Sequence, residues 1–216
     1  SISLFIFGAI ALSLLLMSGK LLETNNAGYY SLKQAAGTGR LTAITDSGMF
    51  FQNFGEVTKY RQADTVHFKG DTAVDVRFND GAKASVPVNV RYELPHNPEK
   101  LIDIHQKFRS QDALVQETIN QVIREAVGLS AAMMSTEESY TTKKAEFSQL
   151  ALDQVVNGVY QTEAKEDTTK DPKTGETIRR QTVVIQTDEK GVAIRKSPPL
   201  QQYGITVTQF VIVMSL

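Results

Sequence analysis

Between Ala82 and Leu94 the chain alternates. The even positions Ala84, Val86, Val88, Val90, Tyr92 and Leu94 are apolar, and the odd positions Lys83, Ser85, Asn89, Arg91 and Glu93 are polar. Period two marks a half-buried strand. Asn79-Asp80-Gly81 separates this run from a shorter one starting at Asp75, where a tight hairpin needs positive φ values. Pro87 stands on the polar face and cannot donate to a ladder, which predicts an edge position or a bulge. Upstream, glycines and polar turns divide short apolar runs at 29–32, 41–44, 49–54 and 65–68. Their spacing predicts a small, mostly antiparallel sheet.

The period then lengthens. Asn97-Pro98-Glu99 supplies an N-cap, a first-turn proline and an acid beside the positive helix end, and Leu101, Ile102, Ile104 and Phe108 give that helix its apolar face. A second helix is predicted from Ser110 or Asp112. Its stripe is Val115, Ile119, Val122 and Ala126, widened by Leu114 and Ile123, with Gly128 as its stop. Ser135-Thr136-Glu137-Glu138 matches a capping box and predicts a third, longer helix through Phe147, Leu150, Leu152, Val155 and Val159. After Tyr160 the chain becomes polar, with a turn signal at Asp171-Pro172-Lys173-Thr174-Gly175 and short apolar runs at 182–187 and 191–196. That pattern predicts a protruding ribbon. A β-branched final strand follows within 203–216.

The N-terminus differs from all of this. Residues 2–17 carry no charge and are mostly Leu, Ile and Phe, and Lys20 is the first charged residue. Such a run predicts an uncleaved membrane anchor built on Ile2, Leu4, Phe5, Ile6, Phe7, Ile10, Leu12, Leu14, Leu15, Leu16 and Met17, with residues 20–22 extending it by snorkelling. A signal peptide would need a basic n-region, and a buried core helix would need polar punctuation. Net charge is −1, so no basic field points to nucleic acid. There is no cysteine, which excludes disulfides, thiolate zinc sites and thiol catalysis.

Chemistry-bearing motifs are sparse. His67, His96 and His105 form no i,i+4 pair and no metal-ligand spacing with a carboxylate. Gly37-Thr38-Gly39-Arg40 lacks the Lys-Ser/Thr ending of a phosphate loop and reads as a turn. No nucleophile elbow or kinase signature is present. These observations predict a protein that is not an enzyme, with no catalytic residue, cofactor or metal.

The order of elements resembles the SPFH or Band 7 superfamily of stomatins, prohibitins, flotillins and the HflK/HflC pair, most closely its prohibitin and HflC-like members. Val86, Val88, Val90, Tyr92, Leu94 and Pro98 occupy the apolar and proline places of the strand that precedes the family's helices. Val127-Gly128 matches its helix end, and Tyr203, Gly204, Ile205 and Val207 its closing strand. Asn26-Ala27-Gly28-Tyr29 and Ser47-Gly48-Met49-Phe50 match its glycine-centred turns, although Ser47 replaces the usual proline. A further departure is an insertion at about 161–200.

The resemblance implies an α+β fold: a transmembrane anchor at 1–22, a strand-rich part at 23–94, and a helical part at 95–216 carrying the ribbon. It also implies a coiled coil after Leu216. The implied function is a membrane-anchored scaffold, in a bacterial inner membrane or equivalent, whose copies or paralogues assemble into large rings or cages. Such an assembly organises a membrane patch and, in the prohibitin and HflK/HflC branch, encloses or regulates a membrane AAA+ protease. The alternative is a monomeric or dimeric tethered receptor that binds its partner with the ribbon at 163–180. Met49, Phe50, Phe51 and Phe54 lie in the part that the family holds against the bilayer and are candidates to touch lipid. The plainer reading is that alternate members fill the core of the small sheet.

Overall fold

The computed structural model describes residues 6–13, 21–141, 143–170 and 177–213, and their contacts fall into two units that interleave along the sequence. The first unit contains residues 1–63 and 94–114, and the second 64–93 and 115–216.

In the first unit residues 6–13 are helical (α1). Five strands follow: β1 (Leu22–Asn25), β2 (Tyr29–Gln34), β3 (Leu41–Ile44), β4 (Gly48–Phe51) and β5 (Glu56–Arg61). β2 is the middle of an antiparallel sheet β3-β2-β5, and among the described residues β1 pairs with β4 alone. The strands at β2, β3 and β4 fall where the apolar runs predict them. β5 was not predicted, because Val57 and Tyr60 stand three apart and break the alternation. Its place comes from pairing, with Tyr60 opposite Tyr30 and Thr58 opposite Leu32.

Two short links hold this unit in shape. Asn25 is buried, and its amide donates to the carbonyls of Tyr29 (3.0 Å) and Asp46 (2.9 Å) while accepting from Ser31 Oγ (2.8 Å). Gly37 to Arg40 forms the β2–β3 turn, closed by Ala35 N–H on Arg40 O at 2.9 Å. Helix α2 (Pro98–Phe108) starts as expected, with Asn97 Oδ1 accepting from Glu99 N at 2.8 Å, and it buries Leu101, Ile104 and Phe108. It packs on β2 and β3. Arg109, left-handed at φ 62°, closes it, and Ser110 Oγ then caps α3 (Gln111–Leu114).

Inside this unit Tyr60 Oη lies 2.8 Å from His105 Nδ1. Burial pushes the Tyr60 phenol up to about 12. Burial, helped by the nearby Arg109 charge, holds His105 below its ordinary value. A neutral imidazole accepts the tyrosine proton, whereas an imidazolium cannot. Because the folded histidine resists protonation, the unfolded chain binds the proton first, and stability falls as pH drops below about 6.5. Because the folded tyrosine resists ionisation, stability is also lost as pH rises from about 10 towards 12. Urea midpoints should therefore fall on both sides of neutrality. Tyr60→Phe should flatten the alkaline limb, and His105→Gln the acid limb.

The second unit contains β6 (Ala63–Phe68), β7 (Val74–Arg77), β8 (Lys83–Val86) and β9 (Val88–Glu93), then α4 (Asn120–Ala132), α5 (Thr136–Tyr140) and α6 (Lys144–Asn157). The ribbon strands β10 (Thr162–Lys170) and β11 (Thr177–Ile185), the short α7 (Pro199–Gln202) and β12 (Thr206–Ile212) complete it. The alternation holds: Val86, Val88, Val90, Tyr92 and Leu94 are buried and Lys83, Ser85, Arg91 and Glu93 exposed. It is not one strand, however. Pro87 divides it, so that among the described residues β8 pairs only with β7 while β9 becomes the middle of β12-β9-β6. The proline carbonyl still accepts from Val213 N–H at 2.9 Å.

The hairpin tip also corrects expectation. Only Gly81 takes a positive φ there, at 84°. Asn79 N–H instead donates to Met134 O (3.0 Å), and the Asp80 carboxylate accepts from Thr136 N–H (2.8 Å) and Oγ1 (3.1 Å). Hydrogen bonds from the Thr136 and Ala82 amides lower the Asp80 carboxyl below its ordinary range. The tip therefore anchors the start of α5.

Gly128 does not stop its helix. After a π-helical stretch at Val115–Ile119, α4 runs to Ala132, because Ser130 and Ala131 are buried and Ser130 Oγ accepts from Gln154 Nε2 at 2.8 Å. The same finding corrects the Val127-Gly128 match to a helix end. The capping box forms as predicted at Ser135 and Glu138. Its helix is short, however, because β-branched Thr141 leaves helical geometry (φ −109°, ψ −81°). A new helix, α6, buries Phe147, Ala151, Gln154 and Val155 before Gly158 ends it, so Val159 lies outside. The turn signal at 171–175 lies outside the described residues.

Candidate membrane-facing surface

β1 and β4 make a two-stranded ribbon in which Leu22 lies opposite Phe51, Glu23 opposite Phe50 and Thr24 opposite Met49. Alternation fixes the outcome: residues directly opposite share a face. Met49 is 71% exposed and Phe51 63%, whereas Phe50 is half-buried. The core-filling reading therefore fails for Met49, Phe51 and Phe54. Leu21 and Leu22 enlarge the exposed apolar surface. Expectation had placed residues 20–22 in an extension of the anchor helix. Instead Leu21 is a turn residue and Leu22 opens β1.

The loop after β4 holds its aromatic tip by force. Asn53 and Phe54 both adopt left-handed φ values, 51° and 61°. Asparagine tolerates this region, but for a bulky residue it is an outlier costing about 1–2 kcal/mol. The strain is held by surrounding bonds. Gln52 N–H donates to Leu21 O at 2.8 Å, Gln52 Nε2 donates to Gly55 O at 2.7 Å, and Lys33 Nζ reaches Phe51 O at 2.9 Å. Gly55 is obligatory, since a Cβ there would stand 2.3 Å from Gln34 O. Beside the patch, Lys59 Nζ pairs with Glu23 at 2.7 Å, and this hydrogen bond lowers the Glu23 carboxyl below its ordinary range. Phe54 stays 44% exposed despite this scaffolding. Such strain persists only where the surrounding structure over-determines it, as these bonds do here. Phe54→Gly should leave the urea midpoint nearly unchanged, because the strain it relieves is offset by lost burial and a more flexible unfolded chain, while weakening vesicle binding.

The N-terminal residues extend the apolar inventory. Ile6, Phe7, Ile10 and Leu12 fall in α1, where every residue of 6–13 is exposed, which disfavours a buried core helix. Ile2, Leu4, Phe5, Leu14, Leu15, Leu16 and Met17 lie outside the described residues. Among the described residues no helix is long and apolar enough to cross a membrane.

The histidines are engaged in local contacts. His67 Nδ1 meets Asn89 Oδ1 at 2.8 Å, His96 Nδ1 lies 3.4 Å from Tyr30 Oη, and His105 holds Tyr60. Among the described residues no three His, Asp or Glu side chains are placed to hold a metal ion.

Residues 23–213 match the model of the SPFH domain / Band 7 family, from the second residue of β1 to the residue after β12. The chain belongs to this family. It is a family of membrane-associated scaffolds, and the α+β arrangement of small sheets and helices fits an SPFH domain. A search of curated proteins gives no significant match. Within this SPFH chain β10 and β11 form a two-stranded ribbon. The domain's exposed apolar side chains include those of β1 and β4, and β1 follows α1 closely in the sequence.

Proposed function

We propose that this SPFH protein is a membrane-anchored scaffold. The apolar stretch at 2–17 is its single N-terminal anchor. Met49, Phe51 and Phe54, with Leu21 and Leu22, settle into the lipid interface beside it. Copies of the chain, or of the chain and a paralogue, then assemble side by side into a ring or cage that organises a membrane patch. Likeness to the prohibitin and HflC-like branch adds a client: a membrane AAA+ protease enclosed or regulated by the assembly.

The observation that carries the reading is the exposed apolar patch within a Band 7 domain. Phe54 is held outward by a strained loop and Met49 and Phe51 by β4, and a lipid interface removes their surface from water. Many anchored copies in one plane bind cooperatively even where each lateral contact is weak. Sedimentation of the protein in mild detergent tests the assembly. A scaffold sediments as one species of many subunits, whereas a tethered receptor that binds through the ribbon at 163–180 sediments as a monomer or dimer.

A further inference from the structure

The sheet of the first unit changes character along its length. Tyr30, Leu32 and Gln34 of β2 share a face, and Tyr60, Thr58 and Glu56 of β5 stand opposite them in that order. Tyr30, Leu32 and Tyr60 are buried, and α2 packs on β2 and β3. At the far end the same face turns polar, with Gln34 between Glu56 on β5 and Leu41 on β3. A face that begins as core therefore ends in groups that need water or a polar partner.

A cavity of about 540 Å³ opens there, between these strand ends and the last turn of α2. Gln34, Glu56 and Thr58 line it from the sheet, and His105 and Arg109 from the helix. Its size falls in the range of small-ligand sites, roughly 300–1,000 Å³.

Both charges in its wall are uncommitted. Among the described residues neither Glu56 nor Arg109 has an ion-pair partner, and they do not pair with each other. His105 is committed on one side only. Its Nδ1 accepts from the buried Tyr60, so the neutral ring carries its proton on Nε2, where no described residue accepts it. Burial, and then the Arg109 charge, hold that ring below its ordinary value, which sets the guanidinium near the imidazole. Arg109 also takes φ 62°, where glycine is the usual residue at a helix end. The cavity thus offers a guanidinium and a neutral N–H donor from the helix, and a carboxylate from the sheet.

That donor set matches a zwitterion with an oxyanion at one end and a primary ammonium at the other. A guanidinium grips a phosphate through two parallel hydrogen bonds, and a carboxylate accepts from an ammonium. The neighbourhood selects the source. Glu56 stands two residues from Phe54, at most about 7 Å of chain, and Gly55 between them packs against Gln34 O. Apolar side chains in a lipid interface reach about 5–10 Å into the headgroup and acyl boundary, which places Glu56 among the headgroups.

We propose that this cavity binds a phosphoethanolamine group, presented as the headgroup of phosphatidylethanolamine. Arg109 and His105 Nε2–H hold the phosphate, and Glu56 holds the ammonium. This rests on the interfacial placement of Phe54 and names the lipid beside it. Selectivity follows from the carboxylate. The trimethylammonium of a choline headgroup has no N–H to donate. A phosphatidylglycerol headgroup brings no cation at all, and Glu56 repels its phosphate.

The test uses the full chain in vesicles of equal parts phosphatidylcholine, phosphatidylglycerol and phosphatidylethanolamine. The protein is re-extracted in mild detergent, and its retained lipids are measured by mass spectrometry. The apolar N-terminal segment retains all classes alike in every variant. Wild type should enrich phosphatidylethanolamine about tenfold over phosphatidylcholine, the effect of one charge-assisted hydrogen bond. Glu56→Gln and Arg109→Gly should each abolish the enrichment. Arg109→Gly should leave the urea midpoint nearly unchanged, since glycine suits that backbone. No enrichment in wild type, or the same enrichment in Arg109→Gly, would overturn the site. Calorimetry with O-phosphoethanolamine separates the sources: binding of the free compound without lipid enrichment would overturn the lipid source. Brominated-lipid quenching of Phe51→Trp reads the apolar patch separately. Quenching without enrichment overturns the headgroup site and leaves the patch standing, and the absence of both overturns the two together.

Discussion

Replacing Met49, Phe51 and Phe54 together with serine should lower vesicle partitioning by about 100–1000-fold in a chain that begins after the apolar N-terminal segment. Full burial of such side chains is worth about 1.5–3 kcal/mol each. Their exposed fractions, 71%, 63% and 44%, are what lipid can still remove from water. The surface at stake is therefore worth about 3–4 kcal/mol, or two to three decades of affinity. Thermal stability should change little, because these residues contribute little to the core. With the N-terminal segment present, binding persists and the patch shows in depth instead. The protein contains no tryptophan, so Phe51→Trp gives a unique fluorophore. Its emission should shift to shorter wavelength on vesicles and be quenched by brominated lipid. An emission spectrum unchanged by lipid would place the patch elsewhere.

The second large effect is in the core. Phe147 is fully buried in α6, and its ring meets Phe78 edge-on at 6.3 Å. Phe147→Ala should cost about 3–5 kcal/mol in urea denaturation. The loss combines the transfer energy of the ring with a cavity that two packed elements cannot easily close. Leu150, three residues along the same helix and only half-buried, should cost less when truncated. A loss below about 1 kcal/mol for Phe147→Ala would contradict this packing.

Much of the fold was legible in the sequence because its strongest signals are local. Asn97-Pro98-Glu99 started α2, and Ser135 with Glu138 built a capping box, because caps depend on residues three apart. Alternation identified which face of 82–94 is buried. What local pattern could not reveal were choices made by partners at long range. Pro87 divides one alternating run between two sheets, and only the pairing of β9 with β12 places the break. β5 lacks alternation and exists because β2 offers it an edge. α4 passes Gly128 because Gln154, 24 residues further on, holds Ser130.

The candidate surface was partly legible. Met49, Phe51 and Phe54 were singled out, but the same period fits a core strand, and only the exposed side of β4 separates the two readings. By sequence alone, Leu21 and Leu22 read as the tail of the apolar run that precedes them. The strain at Phe54 has no sequence signal, since nothing in Gln52-Asn53-Phe54-Gly55 requires a phenylalanine in the left-handed region.

The central claim is a membrane-bound assembly of many copies, and electron microscopy of the full protein reconstituted into lipid vesicles tests it most directly. The account predicts closed rings or domes standing on the bilayer. Isolated particles of one or two subunits scattered over the vesicles would contradict it.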